Sequence, residues 1–427
     1  MKIRIIPLLF CLLTSLLMRA EVTIEQCVEK AMANYPAIRK YNLLSAANEI
    51  ELSDINKSWL PRIGVYGQAT AQNIVPSFPD PLSDVLQNMG QEMRGMGKIQ
   101  YKVGVDVSQT IWDGGVSKAR REMSRTQEAM QRAALDVELY QVRQRVENLY
   151  FAILLTEEQI AQSGITYKLL CNNLEKLRSM LRNGTAMQSD IDMVEAQALS
   201  VNQNIVQARS ASDSYRRALE LFIGESLENE SLAMPAATMP SNNDPDRPEL
   251  MLFERKLDYN DAGNRLANSS LMPRIGLFAQ GYYGYPGFNY FQSMMSRDLS
   301  FNIIAGVKVT WNIDSFYTSR NTSRRTAVNA AEIAADRDVF LFNNKVQSAS
   351  QSETIKGIRE MMQDDSRIVE LRANVRRAAE SQLTNGVIDV TALLSKISDE
   401  NIARLTSKYH EIILIQEIYK LKYTLAR

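Results

Sequence analysis

The chain has 427 residues and is formally neutral, with 49 Lys plus Arg against 49 Asp plus Glu, one histidine and three cysteines. A nucleic-acid binder is expected to be basic, and Cys11, Cys27, Cys171 and His410 supply neither a Cys/His zinc cluster nor a Ser-His-Asp arrangement. Nucleic acid is therefore excluded as a partner, and no catalytic, cofactor or metal site is expected, because the acids scatter along helix faces instead of pairing in a cleft.

The first predicted element is a leader. Residues 1–20 have a basic start (Lys2, Arg4), an apolar stretch from Ile5 to Leu17 and Ala20 before Glu21, the pattern of a secretory signal peptide. Its apolar stretch is shorter than the ~20 residues a spanning helix needs. Cys11 and Cys27 both lack a preceding small residue, so neither marks a lipoprotein cleavage site. Export makes a Cys27–Cys171 disulfide possible, but two buried free thiols are expected. No later apolar run reaches helix-spanning length, so membrane entry would have to be by strands.

After a helical start, one strand follows Pro61 (Ile63, Val65, then Ala69 and Ala71) and a second alternates strictly. Ile99, Tyr101, Val103, Val105 and Val107 face one way; Gln100, Lys102, Gly104, Asp106 and Ser108 face the other. From Val116 to Arg182 there is no proline, and apolar residues recur every seventh position at Leu139, Val146, Ile153, Ile160, Tyr167, Leu174 and Leu181. A second line through Val142, Leu149, Leu170 and Leu177 completes a coiled-coil seam. At ~1.5 Å per residue such a helix extends about 100 Å, too long for a compact globule. Residues 185 to 223 continue the pattern through Ile191, Val194, Ala198, Val201, Ile205, Ala208, Ser212, Tyr215, Leu219 and Phe222.

The plan then repeats. Ser58–Gln68 lies over Ser270–Gln280 at an offset of 212, and Asn183-Gly184 over Asn385-Gly386 at 202. The chain thus divides into the leader (1–20), a first structural repeat (21–224), a Ser/Asn/Pro-rich linker (225–247) and a second repeat (248–427), each repeat running helix, two strands, long helix, helix. In the second copy Ile275, Leu277, Ala279 and then Tyr283 alternate in one strand. Phe301, Ile303, Ala305, Val307, Val309 and Trp311 oppose Asn302, Gly306, Lys308, Thr310 and Asn312 in the other, with Ile304 the exception. The hairpin tips, 73–98 and 282–298, are expected to be loops. The last helix carries Ile402, Leu405, Tyr409, Ile412, Tyr419 and Tyr423 on one seam, with His410 a wall residue in preference to a ligand.

The predicted fold class is a mixed α and β membrane protein. Its coiled-coil helices would pack as long supercoiled rods, and its four transmembrane strands per chain would complete a 12-stranded β-barrel as a trimer. Four strands cannot close, and an open edge in lipid leaves amides unpaired at several kcal/mol each; three copies give a closable number with an open lumen. Lys102, Asp106 and Lys308 would then line the lumen and the opposite face would meet outer-membrane lipid. Trp59, Trp112 and Trp311 adjoin the helices at one membrane interface, either as an aromatic belt or as plugs of the strand-to-helix junctions.

Val22–Pro36, Trp59-Leu60-Pro61, Trp112-Asp113-Gly114-Gly115 and the two Asn-Gly turns, in this order and duplicated, resemble the TolC-type outer-membrane efflux family over essentially the whole mature chain. That resemblance implies a homotrimer in the outer membrane of a Gram-negative bacterium, its coiled-coil helices forming a periplasmic helical barrel. It implies an exit duct of a tripartite efflux or type I secretion system, working as a passive conduit. The helix tips at Asn183, Gly184, Asn385 and Gly386 would dock a periplasmic adaptor (membrane fusion) protein and an inner-membrane pump. Asp190, Asp192 and Asp389 would lie at the periplasmic entrance; Asp190 could form a cation-favouring ring or simply complement its helix dipole, and for Asp389 the dipole role is favoured. Ala392, Ser395, Leu383 and Ile388 depart from the polar residues with which some members narrow and tie the entrance. The alternative function is an exported coiled-coil structural or spacer protein without transport activity.

Overall fold

The computed structural model describes residues 21–90, 95–228, 230–241 and 245–426; the predicted leader lies outside the described residues. In chain order the elements are α1 (Ile24–Asn34), a 3₁₀ turn (Pro36–Arg39), α2 (Lys40–Lys57), β1 (Arg62–Ala71), α3 (Asp80–Asn88), β2 (Ile99–Trp112), α4 (Val116–Arg182) and α5 (Gln188–Ile223). They continue with α6 (Pro248–Ser269), β3 (Arg274–Tyr285), α7 (Tyr290–Met295), β4 (Ser300–Thr310), α8 (Ser315–Thr384) and α9 (Val390–Leu425). The chain is therefore mixed α and β, as its two hydrophobic periodicities predict, and it divides into two compact units.

The first unit, Asn42–Gln131 with Glu254–Ala334, contains the sheet. Its strands are all antiparallel in the order β1-β2-β3-β4, so among the described residues β1 and β4 each keep one unpaired edge. Register puts Asp106 opposite Gly64 and Gln280, Lys102 opposite Gln68 and Gly284, and Lys308 opposite Gly276. Directly opposed residues share a face, so the alternation seen in single strands is one continuous surface. The tips differ from expectation. Each contains a short helix, α3 and α7, and β3 runs on to Tyr285 through residues expected in the second tip. Tyr282, Tyr283 and Tyr285 favour extended backbone, and Pro286, which cannot donate to the ladder, ends the strand. At α7 the Asn289 side chain accepts from Gln292 N, a local cap.

The other unit, Met1–Tyr41, Arg132–Phe253 and Ala335–Arg427, contains the apolar clusters of described residues. In one, Cys27 and Ala31 of α1 meet Val146, Tyr150, Phe151 and Ile153 of α4, Leu219 of α5 and Tyr419 of α9. Burial pushes the Cys27 thiol up to about 11; both Cys27 and Cys171 are free, but Cys171 is only half-buried, not buried as expected. The Tyr150 hydroxyl lies 2.7 Å from the carbonyls of both Val22 and Ala233, joining the first residues to the linker. The predicted seam of α4 holds, with Leu139, Val146 and Ile153 all buried. Three seam positions do not: Tyr215, Ile402 and Tyr409 are exposed. Beyond Ser212 the buried positions of α5 are Leu219 and Ile223, as a 3.6-residue period drifts from a strict heptad. In α9 the stretch between Ile397 and Ile412 buries only a carboxylate, Glu400.

Arg247 closes this unit. Its guanidinium is 4.8 Å from the Tyr140 ring and 4.6 Å from that of Tyr423, pairs with Glu249 and donates to the Tyr423 carbonyl. Both charges are largely buried, so removing one strands the other. Arg247→Met should lower the urea-unfolding stability of the detergent-solubilised protein by about 3 kcal/mol. Arg247→Met combined with Glu249→Leu should recover most of the loss.

Candidate channel wall and helix-tip entrance

On one face of the sheet stand Arg62, Lys102, Asp106, Arg274 and Lys308, and every charged residue of the four strands is on that face. Lys102, Asp106 and Lys308 are thus brought together as the alternation predicts, and the exceptional Ile304 joins them opposite Gln280. Asp106 accepts from Gln280 Nε2 at 2.7 Å. The Lys102 ammonium is 5.8 Å from the Tyr66 ring centroid and 5.2 Å from that of Tyr282, within cation–π range. Gly104 makes room for this cluster, since a Cβ there would come within 2.6 Å of the Gly281 carbonyl and 2.9 Å of the Tyr66 ring. The opposite face presents Ile63, Val65, Val103, Val307 and Val309, each well over half exposed in the single chain.

The three tryptophans lie at the helix-proximal strand ends: Trp59 in the turn before β1, Trp112 closing β2 and Trp311 just after β4. Trp311 Nε1 donates to the Leu271 carbonyl at 2.9 Å, a bond that ties the β3 and β4 ends. Trp59 and Trp112 line a cavity of about 290 Å³ together with Arg62, Arg120 and Arg274. Asp113, also at its wall, is committed to the start of α4, accepting from Gly115 N and Ser117 N. Burial pushes its carboxyl up, but these hydrogen bonds outweigh that and hold it below the usual range.

The two helix tips repeat one geometry. Thr185 N donates to the Met180 carbonyl and Gly184 N to Leu181; at the same spacing Val387 N donates to Gln382 and Gly386 N to Leu383. This is the Schellman closure, and it needs a left-handed residue; Gly184 has φ +73 and Gly386 φ +70. Asn183 and Asn385 end the preceding helices. Past the turn the copies diverge. Asp190 reaches back to Met187 N at 2.9 Å, whereas Asp389 caps α9 by accepting from Ala392 N at 2.8 Å. Each copy has kept one half of a capping box, and Asp192 accepts from the Gln188 amide. Met193 Sδ is 3.5 Å from Thr391 Oγ1, so the tips are neighbours, and Leu383 and Ile388 pack on the shared apolar cluster. His410 pairs with Asp365 at 2.8 Å.

Sequence reasoning missed the charged network just behind the tips. Glu400 accepts from Arg376 at 2.5 Å and from Arg404 at 2.7 Å, while Arg376 also holds Glu380 at 2.9 Å. The i,i+4 pairs Arg376–Glu380 and Glu400–Arg404 were its visible signal; the link between α8 and α9 was not. Burial raises the Glu400 carboxyl, but the hydrogen bonds and charges of Arg376 and Arg404 outweigh it and hold the group below its ordinary range.

Residues 27–225 match the family described as outer membrane efflux protein. The outer-membrane channel OprN is 15% identical, with a TM-score of 0.69, covering 94% of this chain and 89% of its own. VceC from Vibrio cholerae is 11% identical with a TM-score of 0.67 and 94% coverage of both chains. The Campylobacter jejuni CmeC outer membrane channel is 12% identical with a TM-score of 0.65, covering 94% of this chain and 85% of its own. No curated protein sequence matches. The fold is that of these outer-membrane channels, and residues 27–225 carry the sequence pattern of the outer membrane efflux protein family.

A carboxyl held low in the fold contributes stability above its unfolded pKa and loses that contribution as pH falls through the folded value. The stabilisation from Glu400 should therefore be complete above its ordinary value of 4.5 and decline below it. Glu400→Gln should cost about 2 kcal/mol at pH 7 and flatten the fall in thermal midpoint between pH 6 and the acid limit.

Proposed function

We propose that this chain is the outer-membrane exit duct of a tripartite efflux or type I secretion system. Three copies would complete a twelve-stranded barrel, with the helices extending into the periplasm. The observation that carries this reading is the sheet itself, whose charges all occupy one face and whose two edges have no partner among the described residues. In lipid such edges must close, and a Lys at the bilayer midplane costs roughly 2–4 kcal/mol unless it faces a lumen. A second feature supports self-association: Val339, Phe342, Val346, Ile368 and Val375 of α8 keep seam spacing yet are exposed in the single chain.

On this reading the duct is passive and draws energy from an inner-membrane pump coupled through a periplasmic adaptor. The adaptor would dock at the tips formed by Asn183-Gly184 and Asn385-Gly386. Asp190, Asp192 and Asp389 lie beside those turns and would give the inner entrance a negative potential. Trp59, Trp112 and Trp311 would sit at the periplasmic membrane interface. The chain itself would be a leader (1–20) and two repeats (21–224 and 248–427) joined by the linker 225–247.

The purified protein should run as a heat-modifiable trimer and give unitary conductance steps in a planar bilayer; a non-conducting monomer would overturn the proposal. Asp190→Asn should reduce cation preference at the entrance, read as a shift in reversal potential under a salt gradient, and an unchanged value would remove the ring role.

A further inference from the structure

The strand charges are not merely on one face; they are of nearly one sign. Arg62, Lys102, Arg274 and Lys308 stand against the single carboxylate Asp106, a surplus of three positive charges per chain. Among the described residues of this unit the ion pairs Arg255–Asp258 and Arg265–Glu122 lie on helices, and none of the four strand cations makes one. Asp106 is bonded to a neutral amide, Gln280, and Lys102 rests against two aromatic rings instead of a carboxylate. Near the helix-proximal ends Arg62 and Arg274 meet Arg120 around one cavity, whose only acid, Asp113, already accepts two backbone amides. The overall neutrality of the chain hides this segregation.

We infer that the β-barrel lumen is an anion-favouring segment, so that organic anions are preferred over cations of similar size as cargo in transit through it. The inference rests on the barrel reading above and deepens it by naming a cargo class. The physical argument is additive. Three copies would put three times the surplus on one closed wall, backed by low-dielectric lipid, and such a wall focuses potential into the water it encloses. The Debye length is ~8 Å at physiological salt, so cargo passing close to the wall feels the field directly. Tyr66 and Tyr282 add flat faces beside the Lys102 ammonium, which suits anions that also carry a ring.

The test measures local potential at the wall and does not depend on the state of the periplasmic entrance. Ser108→Cys puts a thiol on the charged face and Val107→Cys puts one on the apolar face of the same strand. Outer-membrane vesicles holding the full trimer are treated with an anionic and a cationic methanethiosulfonate of equal size. Rates are read by peptide mass and normalised to a small free thiol, so Cys27 and Cys171 do not interfere. At Ser108→Cys the anionic reagent should react about tenfold faster at low salt. The ratio should fall towards one at 1 M salt, or when Lys102→Gln and Lys308→Gln are added. A ratio at or below one, or one that the two Lys substitutions leave unchanged, overturns the inference. Reaction at Val107→Cys as fast as at Ser108→Cys would instead overturn the barrel reading, which separates the two failures.

Discussion

The unpaired backbone of β1 and β4 constrains everything else in this protein. Each strand donates and accepts along one side only, and water can satisfy the other side but lipid cannot. A chain with an apolar sheet face therefore has two options: bury that face inside itself, or join other edges. The helices do not cover the face, since Ile63, Val65, Val103, Val307 and Val309 remain exposed. On the barrel reading proposed above, edge pairing between copies would satisfy the amides and give the apolar face to lipid, leaving the polar face to water.

The helical residues carry the same incompleteness in another form. α4 and α5 bury their seams well, with Val146, Ile153, Leu177 and Val194 nearly inaccessible. α8 buries few of its described residues, among them Asn344, Ile355, Ile358 and Ala379, and leaves Phe342, Ile368 and Val375 in water. Exposed apolar patches of this kind mark interaction surfaces. Where α8 does meet α9, the contact includes polar groups: Asn344 donates to the Thr424 carbonyl and Arg376 holds Glu400. Buried polar contacts fix register, because a slipped pairing leaves charges unsatisfied.

Most of the fold was legible because its two periods are clean. Alternation over Ile99–Ser108 gave the faces of β2, and sevenfold spacing gave the buried line of α4 through Leu139, Val146 and Ile153. What was not legible depends on contacts distant in sequence or on short local signals. The α3 and α7 helices are brief, and Tyr282–Tyr285 is equally plausible as tip or strand until Gly104 and Gly284 are seen to admit the close approach of β2 to β3. Tyr215, Ile402 and Tyr409 fit a heptad on paper but face outward. At the helix tips, the turns at Gly184 and Gly386 were readable from Asn-Gly alone, whereas the division of labour between Asp190 and Asp389 required the hydrogen bonds themselves.

That division bears on how a duplicated chain builds a site. Backbone geometry is conserved between the copies: both tips close with the same pair of hydrogen bonds and the same left-handed glycine. Side-chain chemistry is not, since Asp190 has Ala392 as its counterpart and Met187 has Asp389. In a ring of three chains, equal backbones place the two kinds of tip alternately around the axis, while the acids at equivalent depth come from one kind only. The potential at the inner end would then follow the chain repeat and not the internal repeat. The sheet behaves differently, with cations on all of β1, β2, β3 and β4. Its charge is spread over both copies, so its field is smoother around the wall. On the barrel reading, the cations on all four strands would make the sheet wall positive, a local field that the zero net charge of the whole chain conceals.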